Sequence, residues 1–122
     1  MGLDISLNVR NRASSEIAYF RKVNFLVRFM ESYYGKEVEN CVPFEINKDG
    51  IVELKDRCEK VLKDHTLAKE LLPTQEGFFF GNTDYNESYY KDVAKVLNKC
   101  DEILECFEDL QPDEYVTFDI WY

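Results

Sequence analysis

The first stretch of the chain alternates apolar and polar side chains with a period of two. The apolar positions are Leu3, Ile5, Leu7 and Val9. This alternation predicts a strand with one buried face. A turn is expected over residues 11–15, where Ser14 or Ser15 can cap a following helix.

The period then changes to that of a helix. We predict a first helix from about Glu16 to Tyr34 that ends at Gly35, a residue suited to a left-handed cap. Apolar residues fall on two sides of this helix, so we expect it to lie between a sheet and other helices. A polar strip is expected between the two apolar sides, and its members are Arg21, Asn24, Arg28 and Ser32.

The middle of the chain predicts a short edge strand and a second helix. Residues 42–46 form the strand, and Pro43 favours a place at the edge of a sheet. The second helix is expected from about Lys48 to Asp64 with Asn47 as its cap.

The last third predicts two strands around the longest amphipathic segment. Residues 77–81 predict a short strand covered on both faces. A third helix should follow, capped by Asp84 with Glu87 as the second member of a capping box, and end near Phe107. Residues 115–122 are rich in aromatic and β-branched side chains, which is typical of a strand.

Strands and helices alternate over only 122 residues, a length that favours one domain over the whole chain, residues 1–122. The polar alternation of the first strand favours a sheet with one exposed face. We therefore expect the α+β class, with three helices packed on one face of a small, mainly antiparallel or mixed sheet.

Charge narrows the classes of partner. The net charge is −9, and residues 101–122 contain eight acidic residues and no Lys or Arg. Such a surface repels phosphate backbones, so we expect no nucleic-acid partner. Two interpretations of this acidic surface are open: it makes the protein more soluble, or it faces the basic groove of another protein. The chain has no apolar run long enough for a membrane span and no signal-peptide pattern at its start, so we expect a cytoplasmic protein without membrane contact.

Cysteine and histidine usage predicts neither a metal site nor a cofactor. The four cysteines lack C-x-x-C spacing, and Cys58 and Cys100 lie on apolar helix stripes. The only histidine is His65, so the hypothesis of a histidine-dependent enzyme rests on that single side chain. We assign no catalytic residue, and a structural or helix-terminal role for His65 is the plainer interpretation.

Two features carry candidate binding chemistry. Two guanidinium groups with an amide between them, in the set Arg21, Asn24 and Arg28, can hold a phosphate or carboxylate. Aromatic side chains can stack on a flat ring; they are Tyr85, Tyr89, Tyr90, Trp121 and the run 78–80. The plainer alternatives are ion pairs inside the chain for the arginines and core packing for the aromatics.

The segment from Gly77 to Asp84 joins a glycine-flanked strand to a helix start, an arrangement that can present backbone N–H groups to an anion. It lacks the lysine and the spacing of a phosphate-binding loop. We interpret Gly77 and Gly81 first as turn residues.

Several strings together resemble a family of small, functionally uncharacterised proteins encoded mainly by bacteriophages and prophages. The strings are Gly2-Leu3-Asp4, the run 18–24, the run 71–74, and the run 77–85 with Tyr89 and Tyr90 behind it. The resemblance covers most of the chain and implies an accessory role in the bacterial host cytoplasm. Its strings add Gly81, Thr83, Tyr85 and Tyr90 to the candidate ligand-binding residues.

These observations lead us to expect a non-enzymatic protein that binds a small anionic, nucleotide-like ligand. An acidic module that inhibits a host protein through its basic groove is the first alternative. An enzyme relying on His65 is the second.

Overall fold

A computed structural model gives the fold and describes residues 2–13, 16–77 and 80–122. The class is α+β. Its strands are β1 (Asp4–Arg10), β2 (Glu16–Arg21), β3 (Phe44–Ile46) and β4 (Tyr115–Trp121). Its helices are α1 (Phe25–Tyr34), α2 (Lys48–Lys63), the four-residue α3 (Ala68–Leu71), which follows a 3-10 turn at His65–Leu67, and α4 (Glu87–Glu108).

The four strands form one antiparallel sheet in the order β2-β1-β4-β3. The apolar side chains that alternate along β1 are buried, whereas the polar ones between them are partly exposed. The first strand and the last strand are therefore confirmed. The sheet has one apolar face in the core and one polar face toward solvent.

The predicted short strand is also confirmed at the edge of the sheet. β3 has three residues, pairs only with β4 among the described residues, and begins directly after Pro43. Proline lacks a backbone N–H, so it is tolerated where a strand ends or lies at an edge.

The prediction of one helix from Glu16 to Tyr34 is wrong in its first part. Residues Glu16–Arg21 form β2, which pairs antiparallel with β1. Helical spacing and strand spacing both suit this short run of apolar residues, and the neighbouring β1 decides between them through backbone hydrogen bonds. The polar strip expected along one helix face therefore does not exist, since Arg21 lies in a strand and Asn24 lies just before α1. Gly35 ends α1 in the left-handed conformation, as predicted.

Both long helices exist, with one capping residue corrected. The Asn47 side chain accepts a hydrogen bond from the Gly50 N–H and caps α2, as predicted. Asp84 does not cap α4; Asn86 does, because its side chain accepts the Tyr89 N–H. Asp84 is instead held in a tight turn, where its N–H donates to Asn82 Oδ1.

The strand predicted over residues 77–81 is not found in the described part of the chain. Gly77 and Phe80 lie outside any strand, and the Phe80 N–H donates to the Gly77 carbonyl in a turn. Phe78 and Phe79 lie outside the described residues, as do the serines expected to cap the first helix.

The helices pack mainly through α2 and α4, which lie against each other, and α4 also contacts β2. Cys58 and Cys100 are buried in this layer, as their places on the apolar stripes predict. Burial raises the pKa of both thiols, that of Cys100 to about 12. They are therefore uncharged core side chains at neutral pH.

Replacing Gly35 by alanine tests the C-cap of α1. The residue has φ of 62°, and nothing lies within 4 Å of the position that a Cβ would take. The loss should therefore come from backbone strain alone and amount to about 1 kcal/mol of unfolding free energy. Gly35→Asn should lose less, because asparagine tolerates this conformation. Urea unfolding of the three proteins measures the difference, and equal losses for alanine and asparagine would contradict the assignment.

Glu114 makes the free energy of unfolding depend on pH in the acidic range. Its carboxylate accepts two hydrogen bonds from Arg12 and one from the Gln111 N–H. These bonds lower its pKa from 4.5 to about 2. A lowered folded-state pKa gives stability that is complete above the unfolded value and lost as pH falls toward the folded value. We expect Glu114→Gln to flatten the decline in unfolding free energy between about pH 5 and pH 2, as measured by urea unfolding; an unchanged slope would contradict this role.

Candidate functional site

The chain leaves β2 through a sharp turn that exposes two basic side chains. Lys22 takes a left-handed backbone conformation, with φ of 58°, and its N–H donates to the Leu3 carbonyl at 2.7 Å. The turn brings the end of β2 close to the loop at Gly81, whose Cα faces the Lys22 side chain. Arg21 and Lys22 therefore lie where the sheet meets the loops before α4.

Arg21 is held loosely. Its Nη1 lies 3.7 Å from Asp4 Oδ1, beyond hydrogen-bond distance, and its side chain is 56% exposed. Tyr19 donates a short hydrogen bond to the same carboxylate oxygen, which raises the pKa of the tyrosine above its ordinary value. The Asp4 carboxylate is thus shared, and the guanidinium keeps most of its donor edge toward solvent.

Arg21 borders a broad hollow on the polar face of the sheet. The hollow has a volume of about 780 Å³, and side chains of β1, β2 and β4 line it. Strand pairing places Arg21, Asp4 and Trp121 in one row, with Asp4 in the middle. Two strand spacings separate the outer members by roughly 10 Å. Trp121 is 70% exposed and Tyr19 is 51% exposed, so both rings offer a face to a ligand.

The opposite end of this hollow is a closed hydrogen-bond network around Asp119. Its carboxylate accepts from Asn8 and Arg10, each at 2.7 Å, and from Thr117 at 2.8 Å. Arg10 also donates to Thr117 Oγ1 at 2.9 Å. The charge of Arg10 is therefore paired with Asp119 within the sheet, whereas Arg21 forms only a long contact with Asp4.

Arg21 also borders a second, smaller hollow of about 240 Å³ on the other side of the turn. Its lining also includes the start of α4 and the residues Lys22, Asn24, Thr74 and Gly81. The positive end of the α4 dipole and two basic side chains favour an anion here. Two carboxylates in the same lining, Asp84 and Asp92, oppose them. Burial raises the pKa of the Asp92 carboxyl above its ordinary value.

Asn24 holds this second hollow together. The residue is 4% exposed. Its Nδ2 donates to the carbonyls of Phe80 and Asn82 at 3.2 and 3.0 Å, and its Oδ1 accepts the Gln75 N–H at 3.1 Å. One buried amide thus fixes two loops against the start of α1.

Three other candidate residues meet at Thr74. Its hydroxyl donates to the Thr83 carbonyl at 2.9 Å, and its N–H donates to the Tyr85 hydroxyl at 3.1 Å. Arg28 donates to the Thr74 carbonyl at 3.1 Å. Arg28, Thr83 and Tyr85 therefore fix a loop, and they line neither hollow that Arg21 borders.

Tyr90 also lines neither hollow. Its ring stacks on the ring of His65, with the two centroids 3.7 Å apart. His65 is exposed at the start of the 3-10 turn. The structure thus brings together Arg21, Asn24 and Gly81 from the predicted set, and separates Arg28, Thr83, Tyr85 and Tyr90 from them. Trp121, one of the aromatic candidates, does share a hollow with Arg21.

The predicted ligand-binding set omits Tyr19 and Lys22, although both lie in the run 18–24 that carries the family resemblance. Tyr19 precedes Arg21 by two positions, the spacing that puts two strand residues on the same face. Had β2 been predicted, this spacing would have found it. The left-handed turn at Lys22 is held by the hydrogen bond to the Leu3 carbonyl. The residues around Lys22 in the sequence do not predict this bond, because Leu3 is distant along the chain.

Most of the acidic C-terminal set is paired within the chain. Five of its eight members lie within 4 Å of a lysine or arginine. They are Asp101, Glu102, Glu108, Glu114 and Asp119. The negative charge that the acidic C-terminal region could offer to a basic groove of another protein is therefore already partly neutralised within this chain.

No family model, curated protein or solved structure matches this chain. None of its described helices is long and apolar enough to cross a membrane. Within residues 2–13, 16–77 and 80–122 there is also no group of three or more His, Cys, Asp or Glu residues that could hold a metal ion. The interpretation of the site therefore depends on its geometry and charge.

Replacing Asn24 by alanine tests the buried amide. The change removes three hydrogen bonds and leaves the Gln75 N–H and two carbonyls without their partner, so we expect a loss of about 2–4 kcal/mol of unfolding free energy. Asn98→Ala, on the exposed side of α4, is the matched control and should change it by less than about 0.5 kcal/mol. Thermal and urea unfolding give both values. A loss for Asn24→Ala as small as that of the control would show that the amide does not hold the loops.

Proposed function

We propose that this chain is a non-enzymatic binding protein for a small ligand that carries an anionic group beside a planar ring, as a nucleotide does. The observation that carries the proposal is the position of Arg21. Its half-exposed guanidinium borders both hollows, one with two exposed aromatic rings and one with Lys22 and the start of α4. Guanidinium groups bind phosphate and carboxylate oxygens through paired hydrogen bonds.

In the proposed complex the ring of the ligand lies on the polar face of the sheet. Trp121 or Tyr19 stacks on it, since an exposed aromatic face gains both area burial and a favourable ring geometry. On the same face the Ser6 hydroxyl can donate to the edge of the ring and Asn8 Oδ1 can accept from it. The amide N–H groups of Asn8 already bind Ser6 and Asp119. The volume of about 780 Å³ is within the range of small-molecule sites.

The anionic group then lies at the corner between the hollows. Arg21 and Lys22 supply positive charge, and the first turn of α4 supplies a favourable dipole. The chain as a whole repels anions because its net charge is −9, so the local basic pair must overcome that field. We therefore expect affinity to fall as the negative charge of the ligand increases beyond what two cations can balance.

We further propose that α1, α2 and α4 together cover the apolar face of the sheet. The contacts of α4 with β2 and of α2 with α4, together with the burial of the apolar residues of β1, support this arrangement. It leaves the polar face open to a ligand. The phage-type strings of the sequence support an accessory role in the cytoplasm of a bacterial host, and this setting is part of the proposal.

The binding proposal has more support than the two alternatives. An acidic inhibitor needs unbalanced carboxylates, and five of eight in the C-terminal region are paired. An enzyme using His65 needs reacting groups beside the ring, and the ring of Tyr90 covers one face of the imidazole. The carboxylate that interacts with it, Asp64, already accepts two hydrogen bonds from Thr66.

The single tryptophan gives a direct test of ligand binding. Nucleoside mono-, di- and triphosphates and the free nucleosides are titrated while Trp121 fluorescence is recorded, and calorimetry measures the same affinities. We expect at least one phosphorylated compound to quench the fluorescence, and to bind more tightly than its nucleoside. Arg21→Ala should weaken that binding by about 10- to 100-fold, because a charge-assisted hydrogen bond contributes about 1.5–3 kcal/mol.

Arg12→Ala is the matched control, since Arg12 lines neither hollow and binds Glu114 instead. It should leave the affinity unchanged. Trp121→Ala should weaken binding of the nucleotide and the nucleoside by the same factor, because stacking does not involve the phosphate. The proposal fails if the wild-type protein binds none of these compounds, or if the two arginine variants bind equally well.

A further inference from the structure

The long free edge of the sheet lies at β2. Among the described residues β2 pairs only with β1, and it lies at one end of the strand order. The other edge, β3, has three residues and follows a proline, which protects it from further pairing. β2 has six residues and contains no proline, so it can accept another strand.

The hydrogen-bond alternation shows which residues face outward along this edge. The Lys22 N–H donates to the Leu3 carbonyl, and the register pairs Phe20 with Ile5 and Ala18 with Leu7. In an antiparallel pair, hydrogen-bonded positions alternate with non-bonded ones. The backbone N–H and C=O of Tyr19 and Arg21 therefore point away from β1, toward the place of an added strand.

A groove lined by two lysines and one glutamate runs beside this edge. It has a volume of about 320 Å³ and lies between Tyr19 and Phe20 of β2 and residues of α4. Lys95 and Lys99 line its helical side one turn apart. Lys99 contacts Glu102 at 2.8 Å, whereas Lys95 has no carboxylate within 4 Å among the described residues. Glu102 lines the groove as well, so Lys95 supplies its unbalanced positive charge, on a chain of net charge −9.

We propose that the outer edge of β2 binds an extended acidic segment of another protein as a fifth strand. The backbone of that segment pairs with Tyr19 and Arg21, about 4.8 Å beyond β2. Its side chains alternate between the two faces, so every second one faces α4. Carboxylates at those positions meet Lys95 and Lys99, which sets the chemistry of the partner.

Charge also argues against a second copy of this chain as the occupant. A two-fold antiparallel pairing of β2 with β2 would bring the lysines of one copy toward the same lysines of the other. Like charges across an interface disfavour that arrangement. The docking edge differs from the ligand hollows, because it uses the outer backbone of β2 and the side chains of α4; failure of nucleotide binding leaves it intact.

A capped octapeptide of alternating valine and glutamate tests the proposal, with amide hydrogen exchange and calorimetry as readouts. In the free protein the amides of Tyr19 and Arg21 should exchange faster than those of Ala18 and Phe20. Saturating peptide should slow the exchange of Tyr19 and Arg21 by at least about tenfold. The affinity should decrease with added salt, because exposed charges form the contact.

Three controls assign the contacts. The double variant Lys95→Glu/Lys99→Glu should weaken peptide binding by at least about tenfold. Lys36→Glu, over the Phe44 ring at the opposite edge of the sheet, should not change it. A peptide with lysine in place of glutamate should not bind to the wild-type protein. Tyr19→Pro removes an outward N–H and should abolish binding, whereas Tyr19→Ala keeps that N–H and should retain it.

The proposal is overturned if the glutamate peptide fails to bind at millimolar concentration, or if it binds without protecting Tyr19 and Arg21. It is also overturned if the double lysine variant binds as tightly as the wild-type protein. Protection of the same two amides without peptide, together with a dimer in sedimentation equilibrium, would identify a second copy as the occupant instead.

Discussion

The two-sidedness of β1 is the constraint on which the rest of the molecule depends. Its apolar side chains enter the core and its polar ones face solvent, and a shift of one residue in its pairing would exchange the two sets. The burial of the apolar set therefore fixes the register with both neighbouring strands. That register in turn decides that Arg21, Asp4 and Trp121 form one row. The proposed ligand site is a consequence of core packing on the opposite face.

Polar groups near the site divide into those that hold the fold and those left for binding. Asn24, Thr74 and Asp119 form hydrogen bonds within the loops and strands, so few of their donors and acceptors remain free for a ligand. Arg21 and Trp121 differ, because both are largely exposed and loosely engaged. Exposed, uncommitted groups beside a rigid network are typical of a binding surface, since the network keeps them in place without competing for their contacts.

The proposed ligand site and the proposed docking edge both use β2, through different atoms. The ligand site takes side chains on the polar face, whereas the docking edge takes outward backbone groups and the lysines of α4. Because Tyr19 and Arg21 contribute to both, a strand added at the edge would also restrict the motion of the Arg21 side chain. Occupancy of one site would then change affinity at the other, which is the reciprocal coupling expected of linked sites.

The sequence alone determined the elements whose patterns are long or have clear end signals. The alternation along β1, the amphipathic stripe of α4, the Asn47 cap and the Gly35 terminus were all predicted, because each depends on residues close together in the chain. Tertiary structure decided the state of residues 16–21, which suit a helix or a strand equally until β1 lies beside them. It also divided the candidate site residues. Which side chains meet Arg21 depends on strand order and on loops held by a distant amide, and neither leaves a periodic signal in the sequence.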